Sequence, residues 1–220
     1  LRIWNRPRTQ TEIRTNMCKK LLGAETGLVA YYRFDEGAGN TLTDLTKNGL
    51  DGTINNAPSW VVSAAAIGDD SDFLYPANWT AQSLTHSFCG GESLTVSNMT
   101  GNPDGVRIYS VGTVPTNTTG IVGLGSNDRY FGVFKANDAA ATYTATYNYN
   151  GNPYVGPGNE DSLQLFRRSD NATIPWVNAG ATLNKPAKTL TATAQSTEFI
   201  LGSHAIPLPI KLLSFDAIVN

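Results

Sequence analysis

The sequence predicts an all-β fold of antiparallel sandwiches, and three observations carry that expectation. The composition is rich in turn and strand residues, with 25 Thr, 20 Asn and 21 Gly in 220 residues. Thr142 to Tyr149 alternates Tyr and Ala with Thr and Asn, the period-two pattern of a strand with one face inward. Beyond Ile67, eight or so short β-former runs are separated by turns without a convincing helix, and burying their alternating faces requires a second layer.

The overall balance narrows the function classes. Sixteen basic residues against 18 acidic give a net charge of −2, so the chain lacks the basic field with which nucleic-acid binding begins. Val61 to Ile67 and Ile206 to Leu213 are the longest apolar stretches. Both are far shorter than the roughly 20 residues of a membrane span. Cys18 and Cys89 allow at most one disulfide, too few for a cysteine-stapled scaffold. The chain opens at Leu1 without a signal-like segment and reads as a piece of a larger protein.

In chain order, Leu1 to Trp4 reads as a short strand that leaves its sheet at Pro7. Thr9-Gln10-Thr11-Glu12 has the spacing of a capping box, which predicts one short helix at about 9–22. Ile13, Met17 and Leu21 would form its apolar stripe, Lys19 and Lys20 would favour its last turn, and Gly23 would stop it. The six basic residues of this stretch fit a solvated helix face or an anionic partner. Leu28 to Phe34 and Thr41 to Leu45 are the next strands, joined by a Gly-rich turn.

Asp44, Thr46, Asn48 and Asp51 then place oxygen-bearing side chains along a Gly-punctuated loop. Such an array could coordinate calcium, but Asx turns tolerating left-handed geometry need the same residues and no ion, and that is the stronger reading. Asp69, Asp70 and Asp72 pose the same choice, between calcium at a domain entry and a solvated linker.

Further strands are expected over Glu92–Ser97, Val106–Val111, Tyr130–Ala136, Ser162–Phe166, Ile174–Asn178, Lys188–Ala194 and Glu198–Leu201. Trp176 is the expected core anchor. Tyr143, Tyr147 and Tyr149 are expected in the core, or alternatively in an exposed platform for sugar rings.

Leu1 to Ile13 (L-R-I-W-N-R-P-R-T-Q-T-E-I) and Gly27 to Trp60, with its Y-Y-R-F strand, resemble the closing part of a laminin-G-like, concanavalin-A-like jelly-roll module of bacterial surface proteins. Most of such a module would be missing here. Arg129–Phe134, Thr144–Tyr149, Glu160–Ser169, Trp176–Leu183 and Thr191–Ser203 are similar, in that order, to a β-sandwich near the C-terminus of very large secreted proteins of Bacteroidota. Ile206 to Ala217 (I-P-L-P-I-K-L-L-S-F-D-A) is similar to the strand that leads into their type IX secretion region. The domains expected are 1–63, the end of the laminin-G-like module; 67–203, an Ig-like or jelly-roll sandwich; and 204–220, a linker and the first strand of a following region.

Recognisable chemistry is sparse. His86 and His204 form no H-E-x-x-H pair, and neither Gly123 to Asn127 nor Cys89-Gly90-Gly91 is a nucleophile motif. The six glutamates all fall beside turns, caps or strand ends. Four N-x-[ST] sequons, at Asn78, Asn98, Asn117 and Asn171, match chance for this composition. Asp161-Ser162-Leu163 is similar to the short O-glycosylation site of Bacteroidota.

The resemblances imply a non-catalytic extracellular adhesin segment that serves cell-surface adhesion or display. Its partners would be other modules of the same protein, the type IX secretion machinery and glycans or surface polysaccharide, with no nucleic acid and no membrane span. The alternatives are accessory modules of a secreted glycoside hydrolase or peptidase, or a strand-donating subunit of a surface filament.

Overall fold

The computed structural model describes residues 1–88, 90–123, 129–194 and 198–204. Cys89, most of the Gly123–Asn127 turn and the strand expected after residue 204 lie outside them.

The N-terminal portion is small-scale. β1 (Arg2–Trp4) and β2 (Leu28–Tyr31) pair antiparallel, Arg2 opposite Tyr31. Between them runs α1 (Gln10–Asn16), with the capping box present: Glu12 N–H donates to Thr9 Oγ1 at 3.2 Å and Thr9 N–H donates to Glu12 Oε2 at 2.8 Å. The helix stops at Asn16, six residues short of the expected end. Arg2 donates from Nη1 to the Asn16 carbonyl and from Nη2 to that of Lys19, which satisfies the helix end from outside. Beyond it, Lys19 bridges to Gly68 as a strand would, with Gly68 N–H donating to Cys18 O and Lys20 N–H to Gly68 O. The expected apolar stripe dissolves accordingly: Ile13 and Met17 are exposed and only Leu21 is buried.

β3 (Thr41–Leu42) and β4 (Gly52–Thr53) form a minimal hairpin. The strand expected to Leu45 ends at Leu42, and Asp44 and Leu45 instead bond the free edge of β2 at Tyr31. Val61 to Ile67 has no helix or strand.

The rest is a two-sheet antiparallel sandwich. Its strands are β5 (Asp70–Leu74), β6 (Leu84–Ser87), β7 (Ser93–Ser97), β8 (Gly105–Val111), β9 (Tyr130–Ala136), β10 (Tyr143–Asn148), β11 (Leu163–Arg168), β12 (Val177–Asn178), β13 (Thr182–Asn184), β14 (Thr189–Ala194) and β15 (Glu198–Ser203). One sheet runs β12-β11-β15-β9-β8-β5 and the other β13-β14-β10-β7-β6. β5 replaces the expected solvated linker. As an edge strand it keeps Asp70 and Asp72 exposed, where charge discourages pairing with another chain.

Between the sheets lie Leu94, Val96, Ile108, Phe131, Tyr147 and Phe199 with their neighbours. β10 alternates buried and half-buried residues as its sequence requires, so Tyr143, Tyr147 and Tyr149 are core and form no exposed platform. Trp176 is buried too, but in a second cluster with Tyr109, Val111, Tyr130, Phe166 and Ile200, not in the inter-sheet core. On β8 and β15 the members of this cluster alternate with residues of the inter-sheet core, so they occupy the outer face of the six-stranded sheet.

The N-terminal portion reaches this outer face. Arg107 donates to the Arg14 carbonyl, Arg14 stacks over Tyr75 at 3.9 Å, Ala66 packs on the cluster and Asn171 Nδ2 donates to Ser63 O at 3.2 Å. All seven residues of β8 are therefore buried, on both faces. Gly132 follows from the same crowding: it stands opposite Tyr109, and a Cβ there would lie 1.8 Å from the ring.

Candidate functional site

A groove of about 690 Å³ lies between the N-terminal portion and the segment that enters the sandwich. That size suits a small ligand or a few residues of a polymer. Its aromatic lining comes from one run of sequence, Tyr31, Tyr32 and Phe34, and from Trp60. Tyr31 and Tyr32 are held in place, Tyr31 by accepting Leu21 N–H at its hydroxyl and Tyr32 by donating to Leu50 O. Phe34, three residues beyond the end of β2, is half exposed and has a left-handed backbone (φ 61°). Val61 and Val62 add exposed apolar surface.

Charge in the groove is mainly positive: Arg2, Lys20 and Arg33 against Asp35. Lys20 is paired with Asp69 at 2.8 Å. Arg2 and Arg33 bond carbonyls and the Tyr31 hydroxyl, and among the described residues neither forms an ion pair. Both guanidinium carbons lie 5.6 Å from the centroid of the Tyr31 ring. The ring face is a favourable seat for a cation, and here it serves two.

The basic residues of the first helix region are mostly engaged within the chain. Arg6 and Arg8 pair with Glu12, Arg8 also lies over Trp4 at 3.8 Å, and Lys19 pairs with Asp70 at 3.0 Å. The Arg6 hydrogen bond and then Thr9 N–H hold the Glu12 carboxyl down at about 2.

Of the loop residues proposed for calcium, Asp44 is the hub. Its Oδ1 accepts from the N–H groups of Tyr31 and Thr46, and its Oδ2 from Thr46 Oγ1 and Leu50 N–H. Burial works against its charge, but those donors hold the carboxyl down at about 2. Asp51 Oδ1 accepts Asp44 N–H at 2.8 Å, and Asn48 Nδ2 donates to Val29 O at 2.8 Å. An ion at Asp44 would have to displace backbone donors. Among the described residues no three His, Cys, Asp or Glu side chains converge as a metal set.

Asp69, Asp70 and Asp72 also diverge, to Lys20, Lys19 and His86. The last contact belongs to a trio that no local motif announces, because its members come from three strands. His86 Nδ1 lies 2.8 Å from Asp72 Oδ2, and His86 Nε2 lies 2.8 Å from Ser110 Oγ. The connectivity is that of a serine hydrolase, yet the burial is inverted. Ser110 is 3% exposed, whereas the Asp72 side chain is 60% exposed. A nucleophile needs the open position, and Ser110 does not line the groove. What the trio does is join β6 to β5 and β8, across the open edge of the sandwich.

Two of the glutamates expected beside turns and strand ends lie there, Glu92 before β7 and Glu198 at the start of β15, and both are buried. Glu92 accepts from Tyr147 OH, Asn152 Nδ2 and Arg129 Nη1, and Glu198 from Tyr109 OH and Arg168 Nε. Ser162, in the short glycosylation-like triplet, is buried and donates to Asn159 O. Cys18 is a free buried thiol; burial pushes its pKa up, while nearby Arg107 opposes the shift.

No helix among the described residues is long and apolar enough to cross a membrane. The chain matches no family model, no curated protein and no solved structure.

Proposed function

We propose that the chain is a non-catalytic, extracellular adhesin segment, and that its groove holds a stretch of a glycan. One observation carries the reading: Tyr32, Phe34 and Trp60 line a single open groove together with polar and charged groups. Aromatic faces cover the apolar faces of sugar rings, and neighbouring donors and acceptors fix the hydroxyls. The resemblance of residues 1–62 and of the sandwich to modules of secreted bacterial surface proteins supports the placement outside the cell. Adhesion asks little else of the fold. Arg2 on β1 and Tyr31 on β2 anchor one wall on paired strands, while Phe34, Trp60 and Val61 present the rest from connecting segments, where binding surfaces commonly lie.

The test is a glycan array followed by titration of the retained polysaccharide. Trp60→Ala and Phe34→Ala should each weaken binding by about tenfold or more, with unchanged melting. Absence of any retained glycan, or full binding by both variants, would refute the assignment.

A further inference from the structure

Arg2 and Arg33 are the feature of the groove that a neutral sugar leaves unused. Two guanidinium groups share the Tyr31 ring at 5.6 Å each. Neither has a carboxylate partner among the described residues. The third lining cation, Lys20, is paired with Asp69, whose charge also reaches Arg33 without an ion pair, and Asp35 offsets one further charge. A net positive charge therefore stays beside the aromatic lining, on a chain whose overall charge is −2.

The two arginines are not equivalent. Arg2 has Nη1 and Nη2 committed to the carbonyls of Asn16 and Lys19, so it contributes a fixed field. Arg33 is exposed, with Nε weakly held by the Tyr31 hydroxyl at 3.4 Å and Nη2 by Leu21 O at 3.1 Å. Its Nη1 edge is left to meet a planar anion from the groove, and a carboxylate matches that edge in shape and charge.

We propose that the groove selects a uronate-bearing polysaccharide, its carboxylate held by Arg33 in the field of Arg2. This rests on the glycan reading above and adds the class of sugar. Charge complementarity names the anion. The aromatic and valine surface of Phe34, Trp60, Val61 and Val62 favours a sugar ring over a bare phosphate backbone, which would need a wider basic field.

The test compares four polymers by isothermal titration at physiological salt: polygalacturonate, its methyl ester, dextran sulfate and poly-glutamate. Polygalacturonate should bind, methyl esterification should weaken it by about tenfold or more, and Arg33→Gln should reproduce that loss while Arg33→Lys retains part of the binding. Equal affinity for the methyl ester overturns the uronate inference and leaves the glycan reading standing. Stronger binding of dextran sulfate or poly-glutamate overturns it in favour of a sulfated chain or an acidic peptide. Binding to none of these polymers, together with an empty glycan array, removes both.

Discussion

Glu198→Gln probes a buried ion pair of the sandwich. Glu198 and Arg168 are both almost wholly buried on the outer face of the six-stranded sheet, with Arg168 Nε 2.5 Å from Glu198 Oε2. Tyr109 OH donates to Oε1 at 2.8 Å, Asn171 takes Arg168 Nη2, and among the described residues Arg168 Nη1 has no partner. Burial pushes the Glu198 carboxyl up, against the pull of Arg168 and of the Tyr109 hydroxyl. Gln is nearly isosteric, so packing is kept while the guanidinium loses its counter-charge. Breaking one side of such a buried pair costs about 3–5 kcal/mol. For a chain of this size that corresponds to a fall in Tm of roughly 6–20 °C. The assay is urea unfolding followed by circular dichroism and by tryptophan fluorescence, since Trp176 lies 4.3 Å from the Arg168 guanidinium. Replacing both partners, as Arg168→Met with Glu198→Leu, should recover most of the loss, because desolvation then disappears with the charge. A single variant within about 1 kcal/mol of the parent, or a double variant worse than the single, would refute the argument.

Two further outcomes follow from the geometry. His86→Ala removes two hydrogen bonds and leaves Ser110 Oγ buried without a partner, at a cost of about 1–3 kcal/mol. Adding Ser110→Ala should then cost less than the sum of the single changes, and a double-mutant cycle that finds strict additivity would contradict the coupling. On the acid side, Asp44 and Glu12 are both held at about 2, below the unfolded range near 4. A depressed carboxyl stabilises the fold fully above the unfolded value, and that contribution is lost as pH falls from about 4 to about 2. Asp44→Asn with Glu12→Gln should flatten the acid limb of stability measured across that window. An unchanged limb would show that these carboxylates are not its source.

What could be read in advance was local. The capping box at Thr9 and Glu12 and the alternation of Tyr143 to Tyr149 depend on neighbours in sequence, and both appear as expected. β5 was hidden by its charges, because Asp70 and Asp72 describe an edge as well as they describe a linker. The outer cluster was hidden for a different reason. Period two identifies one buried face, whereas Arg107, Tyr109 and Val111 are buried by a second cover that the pattern of β8 does not encode. The same holds for the groove and the His86 trio. Arg2 meets Arg33 only because β1 folds back on β2, and Asp72, His86 and Ser110 meet only where two sheets close.

That cover has an evolutionary corollary. Among the described residues Arg107 has its Nε and Nη1 without partners, while Nη2 donates to the backbone of Arg14 and the guanidinium lies beside Cys18. Excised at Gly68, the strands that follow would lose the cover that Arg14 and Cys18 give this cation and Tyr109. Gene shuffling that moved them alone would deliver a sticky cassette, so the two stretches are best inherited together, or separated only after Arg107 and its aromatic neighbours have been recoded.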